Sequence, residues 1–299
     1  MKQLPSLKQL EYLTSLAEHQ HFGQASEVCN VTPSTLSAGI RELEETLGVA
    51  VAERTKRTVL MTPIGLAIAD RAKALIRDAE DLMALAASHN KPLTGKISLG
   101  AIPTISPFIL PGVFPEIQKK YPQLQLYLRE EQTETLLHRL RNGEIDVALI
   151  ALPYETENLI VKELINDEFL FACPNDHQLA NSKSIKDKDL PNQSLLLLEE
   201  GHCLRTHALD ACKFSSSPMR VQFEATSLQT LIHMVASGIG VTLLPKMAAE
   251  SAVTQNNKIQ LIPLETPAAR QIGLAWRSSS PRHEEFELLA ELIGECWSN

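Results

Sequence analysis

No stretch of this 299-residue chain approaches the roughly 20 apolar residues needed to span a membrane. Its start, Met1-Lys2-Gln3-Leu4-Pro5, lacks a signal-peptide core. Together these absences predict the reducing cytoplasm, where a disulfide is transient rather than structural. Phosphate-cradling glycine loops are missing too. Gly238-Ile239-Gly240 follows a helix-like segment and precedes a strand-like one, so it reads as a helix stop and not as a dinucleotide loop. No cysteine or histidine cluster has zinc-ligand spacing, and neither a metal nor another cofactor is expected. Cysteine itself is scarce, five in all. Cys29 lies in an apolar helical segment, Cys173 ends the run Phe169-Leu170-Phe171-Ala172, and Cys296 is near the C-terminus. A composition of 44% hydrophobic and 21% charged residues excludes disorder, and the length suits two domains or more.

The net charge of −8 argues against nucleic acid only when taken globally. Residues 1–91 hold 10 Lys+Arg against 11 Asp+Glu, which leaves 18 against 25 for the rest. Arg54, Lys56, Arg57, Arg71, Lys73 and Arg77 crowd into a short span interrupted by Asp70, and a local patch decides contact with phosphates. The preceding pattern is helical. Leu7, Leu10, Leu13, Leu16 and Ala17 recur at helical spacing after the N-cap candidate Ser6. A second short helix over Phe22–Cys29 ends in a tight Asn30-Val31 turn. Thr32-Pro33 then reads as N-cap and first position of a third helix, which Gly48 stops. Leu36, Ile40, Leu43 and Leu47 form its buried stripe.

The opposite face of that helix carries Thr32, Ser34, Thr35, Ser37 and Arg41, small or hydrogen-bonding groups suited to close entry into a major groove. Val49–Ala52 and Val59–Met61 read as two strands joined through Arg54, Lys56 and Arg57, a wing for gripping the backbone. Helix, helix, turn, recognition helix and basic hairpin together point to DNA binding. Thr62-Pro63 opens a long helix to His89 whose Ile68, Ala72, Leu75, Ala79, Leu82 and Ala86 make a heptad seam for a partner helix. Residues 90–95 read as a linker.

Cys203 and Cys212 stand nine residues apart, a spacing that chance alone readily produces. The surroundings of Cys203 are less ordinary. It follows Gly201 and His202, precedes Arg205, and sits where a loop enters a helix; a helix N-terminus and a nearby cation favour the reactive thiolate. If Arg205–Cys212 is helical, the thiols lie on opposite faces, roughly 13 Å apart along the axis. A disulfide needs Cα atoms within about 7 Å, so these two join only if the segment unwinds.

The chain resembles the LysR-type transcriptional regulators over its whole length. The N-terminal residues that carry the likeness are Leu10-Glu11-Tyr12-Leu13, Ala17, His21-Phe22, Ala25-Ser26, Val31-Thr32, Leu36-Ser37, Ile40, Leu43-Glu44, Leu47-Gly48, Arg54 and Thr62-Pro63-Ile64-Gly65. Pro33-Ser34 departs from the Gln-Pro pair of many members. The resemblance implies an α/β protein with an N-terminal all-α winged helix-turn-helix over 1–62 and a linker and dimerisation helix over 63–90. Residues 91–299 would form a regulatory domain of two Rossmann-like α/β subdomains, periplasmic-binding-protein-like. The alternation of strand-like and helix-like segments from Lys96 onward agrees with that architecture, with a cleft at strand ends and helix starts.

Family members usually bind a small effector in this cleft, where Thr104 and Thr226-Ser227 are candidates. Glu200-Gly201-His202-Cys203-Leu204-Arg205 with Cys212 is similar to the family's peroxide-sensing members. Ala101-Ile102-Pro103-Thr104, Gln132-Thr133, Ala225-Thr226-Ser227-Leu228 and Arg270-Gln271-Ile272-Gly273-Leu274 share that similarity. By this resemblance Cys203 is the peroxidatic and Cys212 the resolving thiol. Thr104, Thr133, His202 and Arg205 bind peroxide or tune the thiol, and Arg270 stabilises the reduced packing. The implied partners are double-stranded promoter DNA, hydrogen peroxide as signal, RNA polymerase, further copies of the chain in a dimer of dimers, and glutaredoxin or glutathione as reductant. An activator of oxidative-stress genes is the expected function. Two alternatives stand beside it: a regulator answering a small organic acid, and a thiol peroxidase, against which the DNA-binding half weighs.

Overall fold

The computed structural model describes residues 4–54, 59–88, 92–186, 195–211, 224–251, 254 and 258–298. It divides into two compact units, Met1–Ala87 and Ser88–Asn299.

Three helices start the first unit: α1 (Leu7–His19), α2 (Phe22–Val28) and α3 (Pro33–Leu47). Local chemistry fixes each boundary. Ser6 and Gln9 form a reciprocal capping box on α1, and the Thr32 hydroxyl accepts the Thr35 amide at the head of α3. Gly48 closes α3 at φ 72°. Leu13, Leu16, Ala25, Leu36, Ile40 and Leu43 are fully buried between the helices. A side chain at Gly39 would lie 2.6 Å from the Tyr12 ring, so the bare glycine sets how closely α1 and α3 cross.

The wing strands are β1 (Ala52–Arg54) and β2 (Val59–Met61), antiparallel with Arg54 opposite Val59. The first strand is shorter and later than the Val49–Ala52 pattern suggests. Side chains from the neighbouring elements are the reason. The Glu44 carboxylate accepts the Val51 amide at 2.9 Å, and Thr62 donates to the Ala50 and Val51 carbonyls, so these backbone groups are bonded outside the ladder. The long helix α4 (Pro63–Ser88) follows. Ala69 and Ala72 are buried on it, whereas Leu75, Leu82 and Met83 are exposed.

In the second unit β3 (Gly95–Ala101) pairs in parallel with β4 (Leu124–Glu130) and β5 (Val147–Leu152). Between them run α5 (Ser106–Lys120) and α6 (Thr133–Asn142). Two long strands, β6 (Leu159–Pro174) and β11 (Ala269–Arg277), pair antiparallel, and β11 also pairs with β5. Past Glu168, β6 continues into a second lobe, flanked there by β9 (Thr242–Pro245) and β10 (Ile259–Pro263). That lobe also holds the parallel pair β7 (Leu197–Leu198) and β8 (Glu224–Ala225), with α7 (Cys203–Ala211), α8 (Leu228–Ala236) and α9 (Lys246–Ala249). The chain returns to the first lobe through α10 (His283–Ser298), whose Phe286, Leu289 and Ile293 are buried there. Each lobe has its own apolar core. Val147, Leu149, Ile272, Leu274 and Trp276 belong to the first, and Phe171, Leu195–Leu198, Leu231, Val235 and Leu244 to the second.

Candidate functional site

Cys203 is the first residue of α7, entered through Gly201 at φ 95°. That backbone conformation favours glycine, and an added side chain would also have to push aside the Gln132 amide oxygen, 2.5 Å from the Cβ position. The helix lies between the two lobes with its faces divided by the 3.6-residue period. Cys203 is buried in the first lobe's core, while Leu204 and Ala208 are buried in the second's. One turn on from Cys203, His207 Nε2 stands 3.1 Å from the Pro153 carbonyl oxygen at the end of β5. One short helix thus touches both cores.

Arg205 does not offer its full charge to the thiol. Its Nη1 donates to the Leu198 carbonyl at 3.0 Å and to Glu224 Oε1 at 2.9 Å. His202 is buried with Nε2 3.8 Å from Glu199 Oε1; burial pushes its pKa down, with Glu199 opposing. Burial lowers the His207 pKa as well, opposed by the Pro153 carbonyl contact. Both imidazoles are therefore held towards the neutral form.

Thr104, in the loop between β3 and α5, is tied to Arg270 on β11. Arg270 Nη1 donates to Thr104 Oγ1 and Nη2 to the Thr104 carbonyl, both at 2.9 Å. With its oxygen accepting from a cation, the Thr104 hydroxyl keeps its own proton free to donate. Arg270 is 1% exposed and its Nε donates to Asp167 Oδ2 at 2.9 Å. The other Asp167 oxygen accepts the Met247 amide at 3.1 Å. Burial pushes the Asp167 carboxyl up, and the Arg270 charge beside it pulls it back.

Thr133 starts α6 and is 1% exposed, with Oγ1 unpaired among the described residues. His207 Nδ1 is a second buried group near Cys203 that is unpaired among the described residues. A buried polar atom without a partner is costly, by about 1–3 kcal/mol, which marks both as able to receive a small hydrogen-bonding guest. Ser227 instead caps α8, accepting the Thr230 amide at 3.2 Å, and Thr226 is exposed.

Three residues at this site escaped the sequence reading. Asp167 is the buried partner of Arg270; its signal was an acid on the inward side of an alternating strand, Ile165-x-Asp167-x-Phe169. The signal for His207 was its position four residues after Cys203. Tyr154 has its phenol pKa raised, chiefly by burial and then by Glu134 and Cys203. It follows the apolar run of β5, and nothing in the sequence ties it to the cysteine.

On the first unit, Thr32, Ser34, Thr35 and Arg41 are exposed on α3, and Ser37 is half-buried. The Thr32 hydroxyl lies 2.8 Å from those of Ser34 and Thr35, so these groups form one hydrogen-bonded cluster at the helix head. The Arg54 side chain, Lys56, Arg57 and Cys212 lie outside the described residues. Among the described residues there is no metal-ligating cluster, and no helix is long and apolar enough to cross a membrane.

A capped helix-turn-helix with a wing, followed by a two-lobed α/β unit, defines a transcription regulator with a DNA-binding and a sensing part. The family models agree: "Bacterial regulatory helix-turn-helix protein, lysR family" matches residues 7–66 and "LysR substrate binding domain" matches 90–297. The chain belongs to the LysR family of transcriptional regulators. It is 41% identical to the "HTH-type transcriptional regulator EstR" of Acinetobacter baylyi, over 98% of this chain and 97% of the relative. It is 39% identical to the "Hydrogen peroxide-inducible genes activator" of Escherichia coli, over 96% of this chain and 94% of that one. Full-length OxyR from Pseudomonas aeruginosa superimposes with a TM-score of 0.79 at 37% identity, covering 98% of this chain and 99% of that chain. In sequence and structure the chain is close to OxyR.

Proposed function

We propose that this regulator responds to hydrogen peroxide and switches through a reversible disulfide between Cys203 and Cys212. The observation that carries the proposal is the seat of Cys203 at the head of a helix shared between two cores. The Cys203 thiolate attacks one peroxide oxygen. An S–O bond forms, the O–O bond breaks, and the leaving hydroxide takes a proton to become water. Thr104, its oxygen held by Arg270, donates a hydrogen bond to the peroxide, and Thr133 and His207 offer further contacts. The Cys212 thiol then attacks the sulfenic sulfur, forming S–S, breaking S–O and releasing a second water. Two thiols lose two electrons and one peroxide gains them. Closing the bond pulls Cys203 out of the first core and unwinds α7, which alters the contact between lobes.

In this reading α3 enters the major groove, with Arg41 on bases or phosphate, and Arg54, Lys56 and Arg57 hold the flanking backbone. Exposed Leu75 and Leu82 pack against α4 of a second copy. A dimer of dimers, contact with RNA polymerase, and reduction by glutathione or glutaredoxin complete the proposal. Regulation, not turnover, is the output.

A second reading, in which a small organic acid binds the cleft and the cysteines are incidental, stands beside it, because the 41% identical relative EstR is named as a transcriptional regulator with no peroxide in its name. Mass spectrometry of the reduced protein after one equivalent of peroxide separates the two. The expected product is a Cys203–Cys212 bridge. Cys203→Ser should lose every peroxide-dependent change in DNA footprint, and Cys212→Ser should leave a dimedone-reactive Cys203. A full response from the Cys203→Ser protein would sink the redox assignment and promote the second reading.

A further inference from the structure

The peroxide chemistry leaves one proton without a carrier. A thiol reacts as its thiolate, and the oxygen that leaves peroxide must be protonated to become water. The two basic side chains next to Cys203 in sequence are already engaged. Arg205 Nη1 is held by the Leu198 carbonyl at 3.0 Å and by Glu224 at 2.9 Å, and a guanidinium does not give up or take protons in a protein. His202 Nε2 lies 3.8 Å from the Glu199 carboxylate. Cys203 itself is 7% exposed, in the first lobe's core, so solvent scarcely reaches it.

His207 is the buried group the chemistry has not used. Its Nε2 stands 3.1 Å from the Pro153 carbonyl oxygen. A carbonyl can only accept, so Nε2 carries the ring's proton, and in the neutral imidazole Nδ1 is then a bare lone pair. That atom is buried and has no hydrogen-bond partner among the described residues. Two observations place it with the thiol. Cys203 and His207 are one turn apart on α7, where Cβ atoms four residues apart lie about 5–6 Å from each other and side chains lean back towards the helix start. Both also turn to the first lobe, Cys203 into its core and His207 onto the end of β5. The ring is held neutral chiefly by burial; the Arg270 charge from β11 lowers its pKa too, while the Pro153 contact and Asp210 on α7 oppose. Tyr154, next to Pro153, keeps its phenol proton.

We infer that His207 Nδ1 is the base that takes the Cys203 proton and then hands it to the oxygen leaving peroxide. The first half concerns the thiol alone; the second rests on the peroxide reading. The S–H bond breaks and an N–H bond forms at Nδ1, giving a thiolate and an imidazolium. The thiolate sulfur bonds to one peroxide oxygen, which keeps its hydrogen, and the O–O bond breaks. The departing hydroxide takes the proton from Nδ1, so thiol and peroxide become sulfenic acid and water, and the ring is restored. Throughout, Nε2–H stays on the Pro153 carbonyl, which fixes the ring while Nδ1 gains and loses its proton. An imidazolium buried under the influence of Arg270 is a strong acid, suited to giving its proton up as soon as the O–O bond yields.

His207→Gln separates the base from a mere hydrogen-bonded pin, because its amide NH2 can still donate to the Pro153 carbonyl but has no basic nitrogen. In the reduced full-length protein, iodoacetamide labelling and peroxide oxidation of Cys203 are followed against pH by mass spectrometry of its peptide. In the wild type both rates should be level through neutral pH and fall only where acid protonates Nδ1. In the variant both should climb steadily with pH. At neutral pH its oxidation should be slower by about a hundredfold, the low end for a positioned acid–base group, and its labelling severalfold slower. Parallel pH profiles in the two proteins would overturn the inference, whatever their offset, and leave His207 as a pin between lobes. Nitrogen NMR of labelled histidine in the wild type decides the matter even if the variant does not fold: the Nε2-protonated tautomer is expected, and a proton on Nδ1 would overturn the base. A level labelling profile that the variant loses, in a protein whose Cys203 peroxide leaves untouched, would uphold the base and remove the peroxide reading.

Discussion

Arg270 is 1% exposed, and its guanidinium is held by Asp167 on β6, Thr104 in the loop before α5 and Met247 on α9. Removing one member of a buried pair strands the other, at a cost of roughly 3–5 kcal/mol. Asp167→Asn keeps the shape but not the charge, so it should lower the unfolding free energy of the second unit by an amount on that scale, measurable by urea titration. A loss below about 1 kcal/mol would mean water reaches the guanidinium. The buried imidazoles give a second test. His202 and His207 have pKa values depressed by burial, whereas the unfolded chain takes up protons near the ordinary value of about 6.5. Below that value the unfolded state binds more protons, so stability is complete above it and is lost as pH falls through the depressed folded values. The melting temperature should drop on acidification, with a shallower slope in His207→Gln; identical slopes would place the effect elsewhere. Thr104, Thr133, His202, Cys203 and Arg270 could be named from the sequence because the short motifs around them carry the family resemblance. Asp167 was not, since its partner is 103 residues away and nothing local announces the contact.

Elements bounded by their own side chains were the easiest to place. Ser6, Thr32-Pro33, Gly48 and Thr62-Pro63 predict the ends of α1, α3 and α4, and the structure puts those ends within a residue or so of expectation. The wing shows where such reading stops. Val49–Ala52 has strand composition, but a glutamate from α3 and the threonine before α4 claim its backbone. Long-range hydrogen bonds overrode propensity there. Gly65 stands at the same junction, where a Cβ would come 2.0 Å from the Val51 carbonyl oxygen. Because the obstacle is backbone, Gly65→Ala must separate the first turn of α4 from the wing. It should destabilise the first unit by about 1–3 kcal/mol, the range of overpacked cores. Thermal unfolding of that unit, followed by circular dichroism, reads the loss; a neutral substitution would show that α4 shifts freely. In the second unit the shorter strands and helices were visible as alternation. The full length of β6 was not, because only its last third is a continuous apolar run.

For the whole molecule, the proposed Cys203–Cys212 bridge would draw Cys203 from the first lobe's core and unwind α7, so the bond would form against lost packing. Structural disulfides typically have potentials below about −300 mV; this one should lie above roughly −250 mV, within reach of glutathione. Equilibration in glutathione buffers with thiol alkylation measures it, and a value in the structural range would make the pair a permanent staple. The two-part organisation was readable from the charge distribution and the order of motifs. How the lobes are joined was not, since pairing between strands a hundred residues apart leaves no periodic trace. That joint has a mechanical meaning. One long strand, β6, runs from lobe to lobe with β11 paired to it as far as Glu168, and such a ribbon acts as a torsion bar: stiff to stretching, yielding to twist, the deformation a pleated backbone already contains. The register shift between Ile272 and Gly273 marks the bar's weakest section, close beside Arg270. A twist of one lobe against the other passes close to the Thr104–Arg270–Asp167 contact, so the axle of the molecule and the proposed trigger are neighbours.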